Sequence, residues 1–192
     1  MAAAQKIVRK EARRYTYADY CEWDEDERWE LIDGVPYAMA APNRAHQGIS
    51  GKIYLQIASF LRGKACEVYY APFDVRLNVE TFDNTVVQPD IVVFCDDSKL
   101  DDKGGIGAPE MTVEILSPSS ASHDMIKKYM LYMQAGVREY WIVDPATKTV
   151  VVHLLEDGTY RGRVFGETDV VPITVLDGGM INFAEVFEEA WL

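Results

Sequence analysis

The sequence predicts an α/β or α+β domain built on a mixed β-sheet flanked by helices. Three observations carry this. Apolar residues recur at helical spacing in two long segments, 43–63 and 122–134. Between and after them come β-branched runs of strand length, punctuated by Pro, Gly and Asp-Gly. The order along the chain is helix and hairpin, helix, a block of strands, helix, more strands.

Residues 16–24, "TYADYCEWD", read as a short helix with Thr16 as cap. "RWELI" and "VPYAM" flank Asp33-Gly34, a two-residue hairpin signal, and Pro36 puts the second strand at a sheet edge. "NRAHQGISGKIYLQIASFLRG" sets Ile49, Ile53, Leu55, Ile57, Phe60 and Leu61 at helical spacing, with Asn43 as cap and Gly63 as stop. "CEVYYAPFDVRLNVE" alternates and breaks at Pro72, and "NTVVQPDIVVF" is β-branched throughout. "DDSKLDDKGGIGAP" reads as a polar loop before the strand "MTVEILS". From Ser122 to Gln134 the pattern is helical, with Ile126, Met130 and Met133 on one face and Gly136 as terminator. "VREYWIVDP", "TVVVHLLE" and "TYRGRVF" are strands, Asp144-Pro145 a strand-ending turn, and "NFAEVFEEAW" a closing helix.

At 192 residues the chain predicts a single domain over 15–192, preceded by a basic arm over 1–14. No apolar run approaches the roughly 20 residues that span a bilayer, and the first residues lack the apolar stretch of a secretory signal. Its 3 cysteines are far apart and outside any C-x-x-C, which predicts reduced thiols, a cytoplasmic setting and no thiolate zinc site. The net charge of −12 works against general polyanion binding. Five basic residues lie within 6–14 against one acid, leaving 14 basic and 30 acidic residues elsewhere, a formal −16. The arm is therefore expected to be a solvated terminus that could touch a nucleic-acid backbone. There is no P-loop, no dinucleotide fingerprint, no G-x-S-x-G and no cysteine with a histidine partner in the sequence pattern.

Two carboxylates stand out. Asp90 in "VVQPDIVVF" and Glu114 in "MTVEILS" each interrupt an apolar strand run. A bare buried carboxylate is costly unless it is paired or binds a metal. The two runs are joined by a moderate loop, so their strands are expected to be neighbours, with both acids converging on one point. Mg²⁺ takes one or two carboxylates and completes its octahedron with water and phosphate oxygens. The structural alternative is that each acid meets an arginine or backbone amides.

Pro89-Asp90, a loop, and then "VEIL" resemble the signature of PD-(D/E)XK nucleases. "WELIDGVPYAM", "PNRAHQGISGKIYLQI", "QPDIVVF", "PEMTVEILSPSS" and "DMIKKYMLYMQAGVREYWIVDP" extend the resemblance to the Uma-type family of restriction-endonuclease-like proteins, over roughly 15–187. The resemblance implies a restriction-endonuclease-like core and a Mg²⁺-dependent endonuclease, with Mn²⁺ as substitute, DNA as substrate and a homodimer as the working form. It implies Asp90, Glu114 and the carbonyl of Ile115 as metal ligands, and Glu30 as an additional acid near them. The superfamily lysine two residues after the glutamate is absent, because Leu116 stands there. Lys128 on the following helix matches the family position; the alternative is an ordinary i,i+4 pair with Asp124 on the helix surface. His46, Gln88 and Lys127 are candidates for substrate contact. Tyr132, Tyr140 and Trp141 read as core aromatics. A groove for duplex is expected to draw on residues 6–14, Arg44, Lys52, Arg62, Lys64 and Lys127. A catalytically inactive binding or regulatory module with the same fold remains the second reading, and hydrolysis of a small phosphorylated substrate the third.

Overall fold

The computed structural model describes residues 13–23, 27–117 and 123–188, the last from the backbone alone at 123–125. Along the chain run α1 (Tyr17–Tyr20), β1 (Trp29–Ile32), β2 (Val35–Ala38), α2 (Arg44–Leu61), β3 (Glu67–Tyr70), β4 (Val75–Arg76), β5 (Val86–Val87), β6 (Ile91–Phe94), β7 (Leu100–Asp101), β8 (Gly104–Ile106) and β9 (Met111–Ile115). There follow α3 (His123–Ala135), β10 (Glu139–Asp144), β11 (Thr149–Glu156), β12 (Thr159–Phe165), β13 (Val170–Ile173), β14 (Gly179–Asn182) and α4 (Phe183–Phe187). The mixed α+β class holds, but the described strands form two 6-stranded sheets rather than one, in the orders β2-β1-β5-β4-β8-β7 and β12-β11-β10-β9-β6-β3, plus the β13-β14 hairpin.

Local chemistry fixes the elements that frame the site. Thr16 and Asp19 close a capping box at α1. Asp33 and Gly34 both adopt positive φ, 50° and 74°, as the two-residue β1-β2 turn requires, and β2 with Pro36 is a sheet edge. Asn43 accepts from the His46 N–H and starts α2. Ile53, Ile57 and Leu61, at successive i+4 positions, are buried against Ile91, Val93, Met111, Val113 and Ile115. Each such side chain stabilises the fold by about 1.5–3 kcal/mol. The opposite face of the second sheet presents Val92, Phe94, Tyr140 and Ile142 to Tyr132 of α3 and to Val75 and Val87 of the first sheet.

Several expectations are corrected. The β-branched run 84–94 is two strands in different sheets: β5 ends at Val87, the chain crosses at 88–90, and β6 starts at Ile91. Asp90 thus precedes its strand. The polar loop contains β7 and β8, which extend the first sheet. The β13-β14 hairpin, which the sequence did not announce, covers the α2 core through Val171, Ile173 and Ile181. α3 turns Lys128 and Tyr132 inward while Ile126 and Met130 are exposed, so its buried face is not the apolar stripe.

The cysteines are also not all reduced. Cys66 and Cys95 stand opposite each other one step beyond the Glu67↔Phe94 pair of β3 and β6, and they form a disulfide; Cys21 is free and exposed. Antiparallel register brings them together whatever their separation in sequence. Of the basic arm, residues 1–12 lie outside the described residues. Arg13 pairs with Asp19, and Arg14 donates to the carbonyl of Asp33. Among the described residues no helix is long and apolar enough to cross a membrane.

Candidate active site

β6 and β9 are antiparallel, with Ile91↔Val113 and Val92↔Thr112 in register. Carried one residue further, that register sets Asp90 opposite Glu114. Side chains alternate along a strand. Since Val113 and Ile115 face the α2 core, Glu114 faces α3 and the first sheet, on the same side as Val92.

Each acid is held through one oxygen. Asp90 Oδ2 accepts from the Ile115 N–H at 2.7 Å and lies 3.1 Å from His46 Nε2 in the first turn of α2. Glu114 Oε1 accepts from Tyr132 Oη at 2.6 Å and from Lys128 Nζ at 3.0 Å. Lys128 and Tyr132 reach one atom because i and i+4 share a helix face. Lys128 Nζ also donates to Glu30 Oε1 at 2.8 Å, and that oxygen takes the Gln88 N–H at 2.9 Å. Lys128 and Glu30 are both buried. The pairing of Lys128 is therefore internal, and the surface pair with Asp124 does not describe it; the side chain of Asp124 lies outside the described residues. The second oxygens of Asp90, Glu114 and Glu30 make no hydrogen bond among the described residues.

The electrostatics follow from burial. Burial pushes the Glu114 carboxyl up to about 7; Lys128 pulls it down, while Asp90 and Glu30 add to the rise. Burial works against the Lys128 ammonium, yet Glu114 and Glu30 outweigh it and hold the amine above the ordinary lysine range. Burial raises the Tyr132 phenol well above its usual value, with Glu114 adding to the rise, so the hydroxyl remains a donor. At His46 burial lowers the pKa, but the bond to Asp90, the charges of Asp90 and Glu114 and a bond to the Ile115 backbone reverse the sign.

A second polar layer supports Glu30. The Gln88 side chain takes Arg28 Nε and Nη2 on its Oε1, at 3.0 and 2.8 Å, and gives its Nε2 to Asp74 Oδ1 at 2.8 Å. Tyr20 Oη also donates to Asp74 Oδ1 at 3.0 Å. Asp74 forms part of the wall of a surface depression lined by Tyr69, Phe73, Leu100 and Lys103. Sequence reasoning missed Tyr132, Arg28, Asp74 and Tyr20 as site neighbours. Tyr132 was legible as the i+4 partner of Lys128; the others depend on a sheet the sequence does not announce.

Of the predicted residues, the fold brings together Asp90, Glu114, Lys128, Glu30, His46, Gln88 and, through its N–H, Ile115. Lys127 turns aside and donates to Tyr37 Oη at 2.8 Å, against that ring. Of the residues expected to line a basic groove, 6–12 lie outside the described residues, and several of the others are engaged elsewhere. Lys52 donates to the carbonyls of Val186 and Glu188, Lys64 sits over Phe60, and Arg62 is at the far end of α2, about 27 Å from the first turn.

Among the described residues no three His, Cys, Asp or Glu side chains group as a metal cage. What the site offers is two opposed carboxylates, each with one oxygen anchored. That is a hard-oxygen donor set of the kind Mg²⁺ accepts when water and phosphate supply the remaining positions.

In fold the chain is similar to the crystal structure of a "putative nuclease belonging to DUF820" from Anabaena variabilis, with a TM-score of 0.74 at 21% identity, covering 90% of this chain and 97% of the other. In sequence it is 27% identical over 146 residues to "Uncharacterized protein slr1290" of Synechocystis sp., across 74% of this chain and 75% of that protein. Residues 16–181, which span every side chain of the site, match the Uma2 family, whose description is "Putative restriction endonuclease", and the chain belongs to that family.

Proposed function

We propose that this protein is a Mg²⁺-dependent endonuclease that hydrolyses phosphodiester bonds of DNA. The observation that carries the reading is a lysine in the right place without the usual motif: Lys128 approaches Glu114 from α3, where the sequence has Leu116 two residues after the glutamate. Asp90 and Glu114 would hold the cation, with the Ile115 carbonyl as a third ligand. The bound metal neutralises phosphate charge and lowers the pKa of a water molecule. Lys128, fixed by Glu30, presents a permanent ammonium beside that point, suited to charge that develops on the phosphoryl oxygens. Glu30 positions the lysine, and Tyr132 orients Glu114. A homodimer, which gives access to both strands of a duplex, completes the reading and rests on the family resemblance; the cytoplasmic setting expected from reduced thiols loses that support with the Cys66–Cys95 disulfide.

The test is calorimetric titration with Mn²⁺, wild type beside Asp90→Ala, followed by cleavage assays on plasmid DNA with Glu114→Ala and Lys128→Ala. Binding lost in Asp90→Ala and cleavage lost in all three variants is the expected result. Cleavage that survives Asp90→Ala and Glu114→Ala sinks the reading. Metal binding by the wild type with no cleavage of DNA or RNA favours the inactive binding module.

A further inference from the structure

His46 is a buried imidazole that meets the Asp90 carboxylate and the Ile115 backbone and leaves Nδ1 unsatisfied. Its residue exposure is 8%, its Nε2 lies 3.1 Å from Asp90 Oδ2, and its Nδ1 is buried with no partner among the described residues. The helix start does not need the ring, because Asn43 caps α2 through the His46 backbone N–H. A buried polar atom without a partner disfavours the folded state. For stability alone, an apolar side chain would serve better at this position. Its side-chain partner is a carboxylate at the centre of the site.

We propose that His46 is a positioning residue for Asp90, resting on the two-carboxylate metal site above. Two donors, His46 Nε2 and the Ile115 N–H, converge on Oδ2. Together they fix the rotation of the carboxylate about its last bond and leave Oδ1 without a hydrogen bond among the described residues. With the imidazole removed, one donor remains and the carboxylate can swing, so that ordering it falls to the incoming cation. Hydrogen bonds behind metal ligands of this kind are worth about 10–100-fold in metal affinity. His46 is then no ligand and no proton carrier; it acts through Asp90.

The experiment is Mn²⁺ calorimetry on wild type, His46→Leu and His46→Gln, with urea unfolding of each protein in chelator. His46→Leu is expected to unfold at no lower urea than wild type, since it loses the unpartnered nitrogen, and to bind Mn²⁺ about 10–100-fold more weakly. His46→Gln, whose side-chain amide can donate to Oδ2, is expected to recover most of the affinity. Wild-type affinity in His46→Leu overturns the proposal, as does a loss shared equally by both variants in step with their loss of stability. If the wild type itself binds no Mn²⁺, even beside a phosphorothioate oligonucleotide, the metal site falls and this role falls with it. If the wild type binds and His46→Leu matches it, only the role of His46 falls.

Discussion

Lys128 Nζ lies 2.8 Å from Glu30 Oε1, and this contact ties α3 to a strand of the first sheet, while the same ammonium bonds Glu114 in the second. Lys128→Met would leave two carboxylates buried side by side without a counter-charge. Losing one member of a buried ionic set costs about 3–5 kcal/mol. Urea midpoints should fall accordingly for Lys128→Met and recover substantially in Lys128→Met/Glu30→Gln, where one negative charge is removed as well. Equal midpoints for the single and double variants would mean that the ammonium is not what neutralises the pair.

Glu114 gives the site a pH dependence whose sign can be worked out. Its folded-state pKa is raised from 4.5 to about 7, mainly by burial, so the fold holds this proton more tightly than the unfolded chain does. The resulting stabilisation is fully present below the unfolded value and is lost as pH rises through 7; it amounts to at most about 3 kcal/mol. In chelator, the stability difference between wild type and Glu114→Gln should therefore shift against the wild type between pH 5 and pH 8. Mn²⁺ competes with the same proton, so its affinity should rise about tenfold per pH unit below 7 and level off above. An affinity that does not change with pH would assign the cation to other ligands.

Glu139 is the opposite case, a fully buried carboxylate that belongs to the framework. It accepts from Trp141 Nε1 at 2.7 Å and from the Val175 N–H at 2.8 Å. Its pKa is raised by burial against the pull of those bonds. Glu139→Ala strands both donors and should cost about 2–4 kcal/mol by urea unfolding, while Mn²⁺ affinity stays at the wild-type value. A changed affinity would show that the 174–176 turn reaches the site.

The disulfide closes a loop whose ends are 29 residues apart in sequence, which in the chain-entropy picture stabilises by about 3–4 kcal/mol. Unfolded without reductant, the protein should titrate one thiol, Cys21, and with reductant three. Cys66→Ser should lower the guanidinium midpoint of the oxidised protein to that of the reduced wild type. Three thiols without reductant would show the pair open in solution.

What the sequence made legible was whatever repeats locally. Asn43, Asp33-Gly34 and the i, i+4 apolar series of α2 are short-range signals, and they placed the hairpin and the long helix. Asp90 and Glu114 stood out because each breaks an apolar run. The exchange of sheets at 88–90 was hidden, since Val86 and Val87 have the same β preference as Ile91 and Val92 whichever sheet they join. The inward face of α3 was hidden for a related reason. Hydropathy ranks Ile126 and Met130 as buried and Lys128 as exposed, and it cannot register that two carboxylates elsewhere in the chain make the ammonium's burial tolerable. Cys66 and Cys95 required the register of β3 on β6. The network of Gln88, Arg28, Asp74 and Tyr20 required the first sheet.

The crossing at Gln88-Pro89-Asp90 carries a further consequence, for how the chain can change in length. At one end of this segment the Gln88 N–H holds Glu30, and at the other Asp90 must leave on the same side of β6 as Glu114 leaves β9. A segment longer or shorter by one residue could still let both sheets pair and leave Asp90 opposite Glu114, yet it would shift the Gln88 N–H, and with it Glu30, relative to the two acids. These three residues therefore act as a spacer of fixed length between two halves of a gauge. Relatives that keep the site should hold this count constant.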